Sequence, residues 1–360
     1  MNVMLAARAL QGSTALHLTE TPVPEPGPLD VLVKVASAGL APGMMKLLRM
    51  GAFKHLPTTL GHEAAGTIVA VGAEATGVSM GDRVRVHPNL TCRSCVYCRT
   101  DREMMCAQQA MVGHAAFSDV PMPLYAEYHD GGLAEYVRVP YWLVDRLPDG
   151  VSFDVGAKVH DLANAVRAYK CAALPLGSTL VITAATGSMG TAAVKLAPHF
   201  GVGRLILVGR SAERLTAVRR LAGGLHTETV ALEDLPSVED LTRRLRDLGP
   251  IDGVLDFVPD GPVMTQATLA MTTGGILVHM GGNNGPLSIP ARVWMANCWR
   301  FVGTRACTRT DVQQVLNMLR EGTLDAEELI THRFPLTEAE RAVDLMQTRA
   351  EPIWMAVVNP

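Results

Sequence analysis

From about residue 155 onward, short apolar runs alternate with helix-like segments. The run "STLVITAATGSMGTAAVKLAPHF" (178–200) indicates a strand, a glycine-containing turn and a helix, and "RLILVGRSAERLTAVRRLAG" (204–223) repeats strand then helix. Further buried strands are indicated by "IDGVLDFVPD" (251–260) and "GGILVHMGG" (274–282). Strands that alternate with helices pair in parallel through right-handed crossovers. The pattern therefore predicts an α/β domain with a doubly wound parallel sheet.

The first 150 residues have a different pattern, in which glycine and proline separate short apolar runs such as "DVLVKVASAG", "AAGTIVAVGA" and "AEYVRVP". Runs of this length bounded by turn residues predict a compact, mostly β domain. After about residue 306, "TDVQQVLNMLREG" indicates a helix, and "IWMAVVNP" indicates a terminal strand that returns to the β domain. The predicted domains are therefore 1–157 and 158–305, with 306–360 completing the first.

Four of the seven cysteines fall in "TCRSCVYCRTDREMMC", at Cys92, Cys95, Cys98 and Cys106. Two-residue gaps let consecutive thiolates turn toward one tetrahedral zinc, and the longer last gap closes the site. Disulfides are the alternative, but three cysteines within seven residues are crowded for pairing, and no secretion signal is evident. Four thiolates leave no open coordination position, so the predicted zinc is structural, in a lobe of about 90–107. The remaining cysteines are interpreted as buried thiols: Cys171, Cys298 and Cys307.

The turn in "ITAATGSMGTAA" has the form A-x-G-x-x-G, with Ala185, Gly187 and Gly190 at the small positions. Small residues between a strand and a helix let the backbone approach a pyrophosphate, which then lies at the N-terminus of the helix. A merely structural turn is the alternative, but the order strand, turn, helix is the one that dinucleotide sites require. The other candidate cofactor contacts are Ser188 and Met189 in the same turn, and Val258, Gly281 and Arg309 farther along the chain.

The end of the next strand distinguishes NADP from NAD. About twenty residues after such a turn, NAD enzymes place an Asp or Glu on the ribose 2′-hydroxyl. Here the strand "RLILVGRS" ends in Gly209, Arg210 and Ser211. A guanidinium and a hydroxyl suit the 2′-phosphate of NADP, and no carboxylate repels it. We therefore predict NADP(H), with a solvated arginine at a strand end as the alternative.

Charge and hydropathy limit the classes of partner. The formal net charge is −3 and no Lys/Arg cluster is present, which argues against nucleic acid and membrane surfaces as partners. No uncharged apolar run is long enough to span a bilayer, and "MNVMLAARAL" does not resemble a signal peptide. We expect a cytoplasmic protein that acts on a small-molecule substrate.

Several motifs together resemble the zinc-type medium-chain alcohol dehydrogenase/reductase family over nearly the whole chain. They are "GHEAAGTIVAVG" (61–72), the four-cysteine lobe, "GGLAEYVRVP", the glycine-rich turn and "GGILVHMGG". The resemblance implies a GroES-like, mostly β catalytic domain interrupted by a Rossmann domain. It also implies hydride transfer to or from nicotinamide, and a homodimer or homotetramer.

In that family "GHE" carries a ligand of a catalytic zinc, matching His62, and a glutamate that orients or transiently joins the metal, matching Glu63. A third ligand matches Asp161 in "AKVHDLANAVRAY", with His160 adjacent. The family's first ligand is a cysteine in an A-G-[I/V]-C-x-[S/T]-D stretch, which here is "AGLAPGM". Ala41 therefore replaces the thiolate, and Gly43 replaces the hydroxyl that relays a proton.

The loss of both groups changes the expected chemistry. We predict that His62, Glu63, Asp161 and His160 form a site without a full catalytic zinc. Hydride from NADPH would then reach an acceptor that is already electron-poor, such as an iminium, a conjugated C=C or an activated carbonyl. Two alternatives remain: a conventional zinc-dependent alcohol or aldehyde dehydrogenase in which His62, Asp161 and Glu63 hold the metal, and a catalytically silent NADPH-binding protein. Side chains considered as donors to the substrate are Tyr125, Tyr128, His129, Lys46 and His55.

Overall fold

The computed structural model describes residues 2–360, and the chain forms two compact units. The first unit contains the chain up to His160 together with Thr308–Pro360, and the second contains Asp161–Cys307. The chain thus leaves the first unit once and returns to it. The predicted boundaries at 157/158 and 305/306 lie close to these two positions.

The secondary structure follows the change of pattern seen in the sequence. The strands are β1 (Val3–Ala9), β2 (Leu16–Pro22), β3 (Asp30–Gly39), β4 (Thr58–Thr59), β5 (Ala64–Val71), β6 (Arg83–Val86), β7 (Asn89–Leu90), β8 (Ala110–Met111), β9 (Tyr136–Pro140), β10 (Val144–Arg146), β11 (Thr179–Ile182), β12 (Arg204–Gly209), β13 (His226–Ala231), β14 (Gly253–Asp256), β15 (Ile276–His279), β16 (Arg300–Gly303), β17 (Ile330–Pro335) and β18 (Met355–Asn359). The α-helices are α1 (Gly43–Arg49), α2 (Pro123–Glu127), α3 (Phe153–Ala172), α4 (Ser188–Leu196), α5 (Ala212–Arg219), α6 (Asp240–Asp247), α7 (Val263–Leu269), α8 (Ala291–Ala296), α9 (Arg309–Arg320) and α10 (Ala339–Thr348).

Strand β3 organises the first unit. It pairs antiparallel with β5 along most of its length, with β9 near its start and with β18 near its end. The sheet continues from β5 to β6 and β10, and from β18 to β17. The side chains of Val31, Val33 and Val35 enter the hydrophobic core of the unit. The end of β3, at Gly39, is therefore held between β18 and the start of β5.

The second unit is a doubly wound parallel sheet. Its strands follow the order β13-β12-β11-β14-β15-β16 and all pair in parallel. The apolar runs identified in the sequence form β11, β12, β14 and β15, whose central residues are fully buried. This confirms the predicted α/β fold, in which a parallel sheet accompanies a mostly β unit.

Two strands of this sheet are not evident from the sequence. In β13, polar residues interrupt the apolar pattern, and β16 has no buried residue. Both are edge strands of the sheet, so each is packed on fewer sides than the central strands. None of the helices in residues 2–360 is long and apolar enough to cross a membrane.

Candidate active site and zinc lobe

The four cysteines of the predicted zinc lobe lie together. Their sulfur atoms all lie within 4.8 Å of one another, with 3.5 Å between Sγ of Cys95 and Sγ of Cys98. No cysteine in residues 2–360 forms a disulfide. Four sulfur atoms at this spacing fit one tetrahedral zinc. Of the other cysteines, Cys307 is buried but Cys298 is exposed and Cys171 is half-buried, so the expectation of three buried thiols is wrong for the latter two.

Local hydrogen bonds favour the thiolate form of Cys92 in the lobe. Burial raises the pKa of Cys92, but hydrogen bonds from the N–H groups of Ser94 and Cys95 outweigh it and bring the pKa below its ordinary value. At Cys98, burial instead raises the pKa. A thiolate at Cys98 therefore needs a neighbouring cation, and a zinc ion held by the four cysteines would supply that charge.

The residues matched to "GHE" lie just before β5, and both are buried. The Glu63 carboxylate has no exposed surface, and its Oε2 accepts a hydrogen bond of 2.5 Å from Nζ of Lys158 in α3. The other oxygen, Oε1, lies 3.8 Å from Nε2 of His62. Lys158 is a functional candidate that the sequence does not reveal, because a single lysine in a largely buried helix belongs to no motif.

Two further imidazole rings pack against His62 within the first unit. The His114 ring lies 4.7 Å from it and the His160 ring 5.1 Å, centroid to centroid, both edge to face. Burial lowers the pKa of His62 to about 3, with a smaller contribution from the nearby Lys158 ammonium. Burial also lowers the pKa of His114 to about 3, and that of His160 well below its usual range. All three rings are therefore neutral at neutral pH. Sequence inspection did not identify His114, which belongs to no recognised motif.

The side chains at positions 41 and 43 carry neither of the expected functional groups. Ala41 carries only a methyl group, and Gly43 is the first residue of α1. A Cβ built at Gly43 would meet no atom within 4 Å, so the position has room for a larger side chain. Met44 and Met45 in α1 are buried in the hydrophobic core. The stretch between Leu40 and Leu48 thus contributes packing and no thiolate or hydroxyl.

The tyrosine and histidine donors considered for the substrate have other partners. Tyr125 donates its hydroxyl hydrogen to the carbonyl oxygen of His114 at 2.6 Å. Tyr128 donates to the Asp30 carboxylate at 2.7 Å. Nδ1 of His129 lies 2.9 Å from the Thr58 hydroxyl, and its ring stacks on that of His55. Both tyrosine hydroxyls are thus already bound to acceptors within the first unit.

Asp161 is the first residue of the second unit and follows His160 directly on α3. Its side chain is buried. A buried carboxylate is rare unless it is paired or binds a ligand, so a role for Asp161 in the site stays a prediction.

The predicted glycine-rich turn joins β11 to α4. Gly187 is the N-cap residue of α4, and Ser188 and Met189 form its first turn with Gly190. A Cβ at Gly190 would collide with the carbonyl oxygen of Ala184 and lie 2.8 Å from Cα of Ala185. Only glycine allows this close packing of helix and turn, which is the arrangement that dinucleotide-binding turns use.

Val258 and Gly281 come together at the same edge of the sheet. They follow β14 and β15, which are neighbouring parallel strands. A Cβ at Gly281 would collide with the carbonyl oxygen of Val258. Ligands of doubly wound sheets bind beyond the carboxyl ends of the strands, so these positions and the β11–α4 turn are compatible with one cofactor site.

The end of β12 carries an acidic group that the sequence analysis missed. Gly209 is the last residue of β12, Arg210 is exposed, and Ser211 is the N-cap residue of α5. Glu233 reaches this end from the segment after β13, and its Oε1 accepts a hydrogen bond of 2.8 Å from the N–H of Ala212. A carboxylate therefore lies near the predicted phosphate-binding residues, although it comes from the segment that follows β13.

Arg309 belongs to the first unit, near the zinc lobe. Its guanidinium donates to Asp145 at 3.1 Å and to the carbonyl oxygen of Trp142, and its backbone N–H donates to Glu103 at 2.6 Å. Arg309, Trp142 and Glu103 line a cavity of about 340 Å³ that also reaches Cys98. These contacts give the Arg309 side chain a role in holding the first unit together. Its contact with the cofactor stays a prediction.

Comparisons with known proteins agree with this architecture. The family model "Alcohol dehydrogenase GroES-like domain" matches residues 27–149, and the model "Zinc-binding dehydrogenase" matches residues 188–321. Sorbitol dehydrogenase of Bombyx mori is 28% identical over 350 residues, which cover 96% of each chain. Probable D-xylulose reductase A of Aspergillus clavatus is 27% identical over 342 residues, covering 92% of this chain and 91% of that protein.

A solved structure, the alcohol dehydrogenase TADH from Thermus sp. ATN1, is 25% identical with a TM-score of 0.82, covering 99% of this chain and 100% of that one. The two matched models together cover most of the chain, and the fold agrees with them. The chain is therefore an oxidoreductase, and it belongs to the zinc-type medium-chain alcohol dehydrogenase/reductase family.

The geometry of the lobe predicts the effect of removing one thiolate. Cys95→Ser should release the zinc and destabilise the lobe, because binding of a structural metal contributes directly to folding. Metal content by mass spectrometry and the melting temperature measure the two effects. Cys298→Ser, at an exposed cysteine outside the lobe, is the matched control and should keep its zinc. Full zinc content in the Cys95 variant would show that the cysteines do not hold the metal together.

Proposed function

We propose that this protein is an NADP(H)-dependent oxidoreductase that delivers hydride from NADPH to an activated small-molecule acceptor without a full catalytic zinc. The acceptor is an iminium, a conjugated C=C or an activated carbonyl. The observation that carries the proposal is the local structure at residues 41–43, where Ala41 offers no ligand atom and Gly43 offers no hydroxyl. Zinc sites for alcohol oxidation need protein ligands that fix the metal and leave one position open.

The chemistry of the remaining donors supports the same proposal. Within residues 2–360, the zinc lobe is the one group of three or more potential ligands whose atoms lie within 4.8 Å of one another. His62 and Glu63 supply nitrogen and oxygen atoms, which bind zinc less firmly than a set that contains thiolate. A bound NADPH supplies hydride, and the protein's task is then to orient an acceptor that needs little polarisation.

One observation favours the alternative of a conventional zinc-dependent dehydrogenase. Nδ1 of His62 and Oε1 of Glu63 are buried and have no hydrogen-bond partner among the described residues. Buried polar atoms of this kind are typical of sites that a ligand completes. A metal held by His62, Glu63 and Asp161 would satisfy them, and so would a polar substrate.

Metal content distinguishes these two functions. We expect wild-type protein to hold one tightly bound zinc per chain. Prolonged treatment with a chelator should leave its activity with an activated acceptor unchanged. Ala41→Cys with Gly43→Ser restores both absent groups and should raise the zinc content toward two per chain. The single variant Gly43→Ser is the control, because it adds no thiolate. Two zincs in wild-type protein, with all activity lost to chelator, would establish the conventional dehydrogenase instead.

The preference for NADPH rests on Arg210 and Ser211 at the end of β12. A guanidinium bound to the 2′-phosphate makes a charge-assisted contact. Arg210→Ala should therefore weaken NADPH binding by about 1.5–3 kcal/mol and leave NADH binding almost unchanged. Fluorescence titration with both cofactors measures the difference.

Two variants sharpen that titration. Arg219→Ala removes an exposed arginine at the other end of α5 and should affect neither cofactor. Glu233→Gln removes the carboxylate near Ala212 and should strengthen NADPH binding, because it relieves repulsion of the phosphate. If Glu233→Gln instead weakens NADH binding and Arg210→Ala changes nothing, the cofactor is NAD, with Glu233 on the ribose.

We also propose that two copies of the chain associate through β16. This strand pairs with β15 on one side and forms an edge of its sheet. Its Phe301 side chain is 50% exposed, and Met295 in the preceding helix α8 is 76% exposed. An open strand edge with apolar side chains favours pairing with a second copy about a two-fold axis.

A charge on this edge tests the association. Phe301→Glu should shift the protein toward monomer in sedimentation velocity, because the carboxylate would be buried without a partner in the dimer. Met80→Glu is the control, since Met80 is equally apolar and 70% exposed but lies in the first unit. An unchanged oligomer in the Phe301 variant would locate the interface elsewhere.

A further inference from the structure

The first unit buries a lysine whose ammonium group faces the residues matched to the metal site. Lys158 is 1% exposed, and its Nζ donates to Oε2 of Glu63 at 2.5 Å and to the carbonyl oxygen of Leu40 at 3.4 Å. Glu63 is 0% exposed. Lysine and glutamate are almost never fully buried unless they are paired. Each therefore neutralises the charge of the other.

The backbone around the pair is shaped to accommodate it. A Cβ at Gly39, the last residue of β3, would collide with the Glu63 carboxylate and lie 2.8 Å from Cδ of Lys158. The N–H of Gly39 donates to the carbonyl oxygen of Glu63 at 2.8 Å, which fixes the two strands against each other. The next carbonyl along the chain, that of Leu40, accepts from the ammonium. The pair is thus part of the strand framework, one residue away from the alanine that replaces a metal ligand.

We propose that the Lys158 ammonium is the built-in cation of this site and replaces the positive charge that a catalytic zinc would supply. This inference rests on the proposed function without a full catalytic zinc. Lys158 occupies one oxygen of the Glu63 carboxylate and keeps a divalent cation from binding beside His62. A metal there would have to share the same carboxylate with an ammonium and would be repelled by it in a poorly solvated environment.

Lys158 is a positioning residue in this scheme, because it touches Glu63 and the backbone rather than the reacting atoms. It fixes the orientation of the carboxylate, whose free oxygen lies 3.8 Å from His62. The site is then complete without metal, and chelators have no effect on it.

The decisive variant is Lys158→Met, which keeps most of the length and the apolar stem of the side chain and removes the charge. Purified full-length wild-type protein and variant are equilibrated with Co²⁺, and bound metal is measured by mass spectrometry and by visible absorption of tetrahedral cobalt. We expect the variant to bind one Co²⁺ more than wild-type protein. The affinity for Co²⁺ beside His62 should be about tenfold or more higher in the variant than in wild-type protein. Lys158→Arg, which keeps the charge, should not gain this site.

Turnover of an activated acceptor with NADPH is measured in metal-free buffer. We expect kcat of Lys158→Met to fall about tenfold or more, with the dissociation constant of NADPH unchanged and partial recovery in Lys158→Arg. A purely structural role for Lys158 predicts no additional metal and no recovery by arginine. That result would overturn the inference.

The single variant leaves Glu63 buried without a counter-charge, which can prevent folding. The double variant Lys158→Met with Glu63→Gln removes both charges and nearly keeps the size of both side chains, so it should fold. We expect it to lose turnover and gain no metal, whereas full turnover in the double variant contradicts the inference. The proposed function is tested separately by the metal content of wild-type protein: two zincs there would refute it, whatever the Lys158 variants do.

Discussion

One buried carboxylate determines how the candidate site in the first unit is built. Glu63 has no exposed surface, and leaving such a group without a partner costs several kcal/mol. Lys158 compensates it, which ties α3 to the end of β3. The contact in turn requires glycine at position 39, because any Cβ there would meet the carboxylate. The ion pair therefore links the packing of α3 to the pairing of β3 with β5, and a change in one affects the others.

The zinc lobe and this site differ in where their ligands come from. In the lobe, all four thiols lie within fifteen residues of chain and converge with sulfur atoms no more than 4.8 Å apart. At the other site, the groups come from the residue after β3, the residues just before β5 and helix α3, so each depends on the packing of the unit. Loss of one cysteine in the lobe would leave three thiols for the predicted zinc. Ala41, by contrast, lies one residue from the backbone carbonyl that Lys158 contacts, and Lys158 already balances the charge of Glu63.

Sequence reasoning succeeded where the signal is local. The cysteine spacing, the A-x-G-x-x-G turn and the alternation of strands with helices all depend on neighbours in the chain, and the structure has the corresponding geometry. Lys158 was missed because it meets Glu63 across 95 positions of sequence. Glu233 was missed for a similar reason, since it reaches Ala212 from the segment after the next strand. The Arg309 side chain binds Asp145 and Trp142 in the first unit, and its contact with the cofactor stays a prediction.

The neutral imidazoles bear on which acceptor suits the site best. Burial and Lys158 lower the pKa of His62 to about 3, so at neutral pH the ring donates at most one N–H and is not an acid. Reduction of a carbonyl produces an alkoxide, and reduction of a conjugated C=C produces an enolate, so both need a proton or a Lewis acid. An iminium carries its own positive charge, and hydride addition gives a neutral amine with no proton required. Of the three proposed acceptors, the iminium therefore requires least of a site that contains a buried ion pair, neutral histidines and no thiolate at position 41.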